Sequence, residues 1–382
     1  MRIIFDAQAL QMYSLFKDGF RGGTETYVLE VAEGLAAKGH EVHVVANDCD
    51  RDQQRKGVWF WPPAYHPTAA DAVVAVHSLE YVTPEAGYDA PVLVAMGNGL
   101  GAFLGPDDEW AKFVDAWPVF SKCHADLLTK HHKNVDPAKC HVTGLGIDLG
   151  EFDYFYDNPG GQWRNPSANE AKVPGRIFVS NDPARGLWHV LDVFDAVKKR
   201  IPETILHVGY DWETAFEQRK WASNALAETL WDCKRRLETT EGVKLLGKLS
   251  REDLIREQLE CQVHIWPSDP PNVGSQIHGL TQMECAAAGA ALVLSDVEAF
   301  PEVFGEAATI LPVPGTFLPP EGEEEGHRVN AEDWAEVVAE LMTDPEKWTE
   351  ASRKSRALAE QHDWGRVVNA WDSMLNGLKG AA

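Results

Sequence analysis

Residues 176–210, RIFVSNDPARGLWHVLDVFDAVKKRIPETILHVGY, decide the architecture. RIFVS (176–180) is a short β-branched run, and ILHVGY (205–210) is another. Between them Leu187, Val190, Leu191, Phe194 and Val197 recur at helical spacing on one face. A strand, a one-faced helix and a second strand make a βαβ unit, whose two strands lie parallel in one sheet. Working outward, VKLLG (243–247), VHIWP (263–267), AALVLS (290–295) and ATIL (308–311) continue the series. Upstream, RIIF (2–5) and EVHVVA (41–46) flank a helical pattern carrying Val28, Val31, Ala32 and Leu35, with Gly39 as its stop. VWFW (58–61), AVVAV (72–76), PVLVAM (91–96) and WPVF (117–120) follow as strand-like runs. DYFYDNPGGQWRNPSANEAKVP (153–174) breaks every period and reads as an interdomain connection. The expected fold is α/β: two Rossmann-like domains, 1–152 and 175–360, with parallel sheets facing a central cleft. Ligands are then expected at the carboxyl ends of the strands.

At 382 residues, two domains are a better prior than one. No apolar run reaches the roughly 18–20 residues that span a bilayer, and MRIIFDAQAL lacks signal-peptide layout, so a cytoplasmic location is expected. The six cysteines are scattered without a CxxC pair, which favours free thiols over a zinc site. The net charge of −24 disfavours broad electrostatic binding to nucleic acid or anionic membrane.

Three stretches can carry chemistry. In FRGGTETY (20–27), Gly22 and Gly23 precede a helix start, where free N–H groups favour an anion; an ordinary tight turn is the plain alternative. In SNDPARGLWHV (180–190), Arg185 opens a helix just after Pro183, placed to fork onto a phosphate or simply to sit in solvent. In SQIHGLTQMECAAAG (275–289), small residues let a helix pack closely and carry Glu284 inward. That carboxylate suits sugar or ribose hydroxyls, and a structural ion pair is its alternative. His77 follows a strand at its carboxyl end. His131–His132 reads as a solvated helix end, Asp269 as a turn acid, and VWFWPPAY (58–65) as a core strand with an edge loop in preference to an aromatic platform.

Together these stretches resemble a known family. GGTETYVLEVAEGLAAKGHEVHVV (22–45), GIDLGEF (146–152), ARGLWHVLDVFDAVKKRIPETILHVGY (184–210), GLTQMECAAAGAALVLSDVEAFPEV (279–303) and DWGRVVNAW (363–371) are similar, in order and spacing, to retaining GT-B glycosyltransferases of the family-4 type. The resemblance implies transfer from a nucleoside-diphosphate sugar to a hydroxyl acceptor, with no cofactor and no metal. It also implies that residues 361–382 form a helix returning toward the first domain. Glu284 matches the second acid of an E-x7-E motif, implied to bind ribose hydroxyls, and Gln276 takes the first acid's place beside the transferred sugar. Gly279 and Leu280 match a turn whose amides face the diphosphate, and Arg185 matches a diphosphate-neutralising base. Gly22, Gly23 and Ser180 are further donor-side positions, and His77 and Asn98 are acceptor-side candidates. Asn181 stands where the family commonly adds an arginine, and MGNG (96–99) replaces its frequent His-Gly. The acceptor stays open among glycan, lipid-linked intermediate, small molecule, protein and hydroxylated DNA base, with a nucleic-acid acceptor disfavoured by charge. Two rival readings are a nucleotide-sugar epimerase on the same fold and a sugar-nucleotide-binding module without turnover.

Overall fold

In the computed structural model the described residues are 1–8, 10, 12, 22–49, 52–65, 69–77, 90–95, 109–157, 172–212, 224–268, 276–313 and 329–379. The chain divides into two compact units, Met1–Gly146 with His362–Ala382, and Ile147–Gln361.

In the first unit β1 (Arg2–Asp6) leads to helix α1 (Gly23–Ala37) and β2 (Glu41–Val45). Then come β3 (Gln53–Arg55), β4 (Val58–Trp61), β5 (Ala72–Val76) and β6 (Val92–Ala95), in a sheet of order β3-β4-β2-β1-β5-β6. Apart from one edge the strands are parallel, and β1, β2, β5 and β6 are buried on both faces by mostly β-branched and small residues. At that edge β3, a three-residue strand, pairs antiparallel with β4. The hairpin between them has a two-residue turn, Lys56 at φ 45° and Gly57 at φ 83°. Positive φ at both central residues matches the twist of a tight hairpin, and glycine adopts it without a Cβ penalty. A two-stranded parallel sheet of β7 (Trp117–Val119) and β8 (Cys140–Val142) flanks helix α2 (Lys122–His131).

The second unit opens with α3 (Leu149–Asp157). Residues 147–152, expected in the first domain, and 153–157, expected in the connection, group here. Its sheet contains β9 (Arg176–Val179), β10 (Ile205–Val208), β11 (Val243–Leu245), β12 (Val263–Trp266), β13 (Ala291–Ser295) and β14 (Ala308–Leu311). All pairs are parallel, in the order β11-β10-β9-β12-β13-β14. The chain leaves β9 toward β10 on one side and returns to β12 on the other, so the order reverses between β9 and β12. Such a switch point opens a crevice at the strands' carboxyl ends. Helices α4 (Leu187–Arg200), α5 (Asn224–Thr239), α6 (Arg251–Glu260), α7 (Leu280–Ala287), α8 (Phe300–Phe304), α9 (Ala331–Thr343) and α10 (Pro345–Ala359) cover the sheet. The α4 face read from the sequence is buried, together with Trp188 and His189.

Helix α11 (Trp364–Lys379) belongs to the first unit. Trp371 is fully buried and donates its indole N–H to the Tyr27 hydroxyl at 2.8 Å. Tyr27 also meets the Thr143 hydroxyl at 3.3 Å and packs edge-on to Phe120 at 4.8 Å. Burial pushes its phenol pKa well up, so it stays a neutral link between α1 and α11.

Candidate functional site

The carboxyl ends of β9, β12 and β13 in the second unit gather most of the sequence-derived positions. After β9, Ser180 and Asn181 lead into a single 3-10 turn, Pro183–Arg185, and then Gly186. Arg185 therefore precedes the long helix instead of opening it, because α4 starts only at Leu187. The Asp182 carboxylate caps the turn by accepting from Ala184 N–H at 3.1 Å and stands 4.0 Å from Arg185 Nε. The guanidinium is about a third exposed. Asn181 Oδ1 is buried without a hydrogen-bond partner.

Gly279 starts α7 at φ 112°. A Cβ there would come within 2.8 Å of Gln282 Oε1 and 3.0 Å of the Phe300 ring, so both backbone and packing demand glycine. No side chain caps the helix. The first-turn N–H groups beginning at Leu280 lack intrahelical acceptors, a positive terminus for an anion.

Glu284 lies one turn further on and is 6% exposed. Its carboxylate accepts from Arg251 Nη1 at 2.5 Å and from Gln258 Nε2 at 2.8 Å. Arg251 in turn donates to Glu151 from Nε at 3.0 Å and Nη2 at 2.5 Å. Burial opposes the guanidinium's charge, yet Glu284 and Glu151 more than offset it, and the Arg251 pKa is raised. The ion pair considered as the plain alternative is thus present. It does not exhaust the acid: two carboxylate oxygens offer about four acceptor sites, and these contacts occupy two.

Gln276 is 4% exposed. Its side chain donates to Ser268 Oγ at 2.8 Å, just past β12, and Ser268 N–H donates to Ser295 Oγ at 3.1 Å at the end of β13. Its backbone N–H donates to Glu298 Oε2, and its carbonyl accepts from Ala299 N–H at 3.1 Å.

The remaining positions lie in the first unit. Gly22 caps α1 in extended backbone, with no side-chain cap, and Gly23 is its first residue. His77 follows β5 at φ 56°, and burial lowers its pKa. Asn98 and Asp269 lie outside the described residues. His131 ends α2 in solvent as expected, but His132 is buried. In β4, Trp61 donates to His43 Nδ1 at 2.9 Å, which ties that aromatic run into the sheet. Among the described residues no group of three or more His, Cys, Asp or Glu is arranged to hold a metal ion.

Arg251, Gln258, Glu151, Ser268 and Glu298 were not singled out from the sequence. One signal was available: Arg251 and Gln258 are seven apart, two turns on one face of α6, both polar on a side that meets another helix.

Residues 21–95 match the sequence signature of Glycosyltransferase Family 4. Three solved structures share the architecture over essentially the whole chain. Sucrose-phosphate synthase from Thermosynechococcus elongatus aligns with a TM-score of 0.68 at 15% identity, covering 100% of both chains. The fold is that of a GT-B glycosyltransferase. A glycosyltransferase from Rickettsia africae gives 0.67 at 12% identity, over 100% of this chain and 99% of the other. An Anabaena protein crystallised with UDP and glucose gives 0.65 at 14%, over 99% and 100%. None of the curated proteins matches the sequence. In the second unit Gly279 and Glu284 belong to α7, Gln276 is tied to Ser268 just past β12, and Arg185 lies in the turn after β9. No helix among the described residues is long and apolar enough to cross a membrane.

Proposed function

We propose that the chain is a retaining glycosyltransferase, transferring a sugar from a nucleoside diphosphate to an acceptor hydroxyl. One observation carries this reading. A buried carboxylate, Glu284, rides the same short helix as an uncapped, glycine-started N-terminus beside the sheet's switch point. A nucleoside diphosphate needs both groups, an acceptor for the ribose diol and a positive terminus for the phosphates. The Anabaena neighbour's complex with UDP and glucose supports that ligand class.

In the proposed reaction the bond from the anomeric carbon to the diphosphate oxygen breaks, and its electron pair stays on the phosphate. The acceptor oxygen bonds to the anomeric carbon on the same face, and its proton passes to the departing phosphate. Arg185 and the α7 amides would stabilise the charge growing on that leaving group. Gln276 would contact the transferred sugar. The proposal includes no metal and no cofactor, and it places the protein in the cytoplasm. The acceptor is a hydroxyl compound of unassigned class.

A thermal-shift panel of UDP-, GDP- and ADP-sugars, followed by mass spectrometry with acceptor pools in excess chelator, tests it. The true donor should raise the melting temperature and yield a product one sugar heavier. No shift with any donor, or a requirement for magnesium or manganese, would contradict the respective parts. A second reading, a binding module without turnover, is favoured by the neutral Gln276 amide tied to Ser268. Donor binding without transfer or slow donor hydrolysis would select it.

A further inference from the structure

Among the described residues three non-glycine residues have positive φ, Lys56, His77 and Glu298. Lys56 belongs to a hairpin turn that requires it. Glu298, at φ 46°, lies in the loop after β13, at the ligand-binding end of the sheet. A side chain with a Cβ is strained in this conformation, and such strain persists where the side chain is needed. The carboxylate of Glu298 accepts from the backbone N–H of Gln276, while Ala299 N–H donates to the carbonyl of Gln276. The two segments are clasped by reciprocal bonds. The Ala299 bond is made by backbone alone, and the acid adds a formal negative charge at the residue the proposed function places beside the transferred sugar. Gln276 itself brings no charge, and its amide is already turned to Ser268.

We infer that Glu298 is the acid of the transferred-sugar subsite, supplying from the β13 loop the negative charge that position 276 lacks. Positive charge gathers at the anomeric carbon as the bond to phosphate breaks, and a fixed carboxylate nearby favours that state over the ground state. The left-handed backbone at Glu298 turns its carboxylate back over residue 276. The inference rests on the glycosyltransferase reading and adds a residue to it.

Glu298→Gln keeps the shape and an acceptor oxygen for the Gln276 N–H but removes the charge. Its kcat should fall about tenfold or more, with affinity for the bare nucleoside diphosphate held within about twofold. Gln276→Glu combined with Glu298→Gln moves the acid to the neighbouring position and should recover much of the lost kcat. Glu298→Gly adopts the same φ without strain, so it is the second loss-of-charge variant should the glutamine variant fail to fold. Wild-type kcat in Glu298→Gln or Glu298→Gly, or a double variant no faster than the single one, would overturn the assignment while leaving the glycosyltransferase reading intact. A wild-type chain that neither binds nor turns over any nucleotide sugar would overturn both.

Discussion

Two buried glutamates, one in each unit, look alike in sequence and differ in chemistry. Glu33 on α1 is 7% exposed and Glu284 on α7 is 6% exposed, each on a helix rich in small and apolar residues. Glu33 is ion-paired to Arg55 at 3.1 Å and Lys56 at 2.9 Å, both from the β3–β4 hairpin. One acid there meets two cations. Around Glu284 the ratio is inverted, since Arg251 is shared between Glu284 and Glu151 and the other partner is the neutral amide of Gln258. The first cluster fastens a hairpin to a helix. The second retains a negative charge and unfilled acceptor sites beside an uncapped helix start. Burial alone does not mark a ligand site.

Removing the shared cation is the hardest test of that contrast. Arg251→Ala leaves two carboxylates facing one another, one of them buried, and should cost about 3 kcal/mol of stability in a denaturant titration. A loss below about 1 kcal/mol would show that Glu284 is solvated well enough to need no partner. Next, Glu284→Ala should weaken binding of the donor about 10- to 100-fold in calorimetry, the worth of charged hydrogen bonds to a diol. Glu33→Ala should leave that constant unchanged, and equal losses from both would erase the distinction.

Acidification probes both units through one buried histidine each. His124 accepts the Phe120 N–H at Nδ1, 3.1 Å away, so it is the Nε2–H tautomer. His264 donates from Nδ1 to the Phe178 carbonyl at 2.8 Å and is the opposite tautomer. Burial lowers both pKa values to about 4 from an ordinary 6.5. The folded pKa lies below the unfolded one, so the stabilisation is full above pH 6.5 and is lost as pH falls toward 4. At pH 5.5 each histidine should cost roughly 1.4 kcal/mol relative to pH 7.5. Urea midpoints that hold constant across this range would refute the neutral assignment. The smallest effect is expected at the first cluster, where Arg55→Ala leaves Lys56 on Glu33 and should cost about 1 kcal/mol or less.

The strands and helices that were legible are ones with strong apolar periodicity, although the equally periodic helix α9, with Trp334, Ala335, Val338 and Leu341 buried, went unread. The run at 58–61 became β4 and the 72–76 run became β5, whereas β3 was missed because its Gln-Gln-Arg has no apolar alternation. Its existence depends on the Lys56–Gly57 turn, and lysine is a poor advertisement for positive φ. At the candidate site, Glu284 and Gly279 stood out because small residues and a glycine surround them. Arg251 did not, since its partners Glu284 and Glu151 are 33 and 100 positions away in the chain. Glu298 was invisible for another reason: nothing in the letters SDVEAF announces a left-handed glutamate. Arg185 was placed on the wrong side of a helix start because Gly186, at φ 122°, breaks the turn from the helix.

The position of α11 bears on the order in which the polypeptide matures on the ribosome. The second unit is continuous, from Ile147 to Gln361, so every segment it needs has been synthesised before α11 emerges. The first unit begins earlier and finishes later, because Trp371 and Val367 are buried in its own core. A nascent chain arrested after Gln361 would therefore hold a complete second unit and an unfinished first one, with the apolar side of α1 around Tyr27 left uncovered. A stop codon between Gln361 and Trp371 should accordingly be read by proteases as a lesion of the first unit.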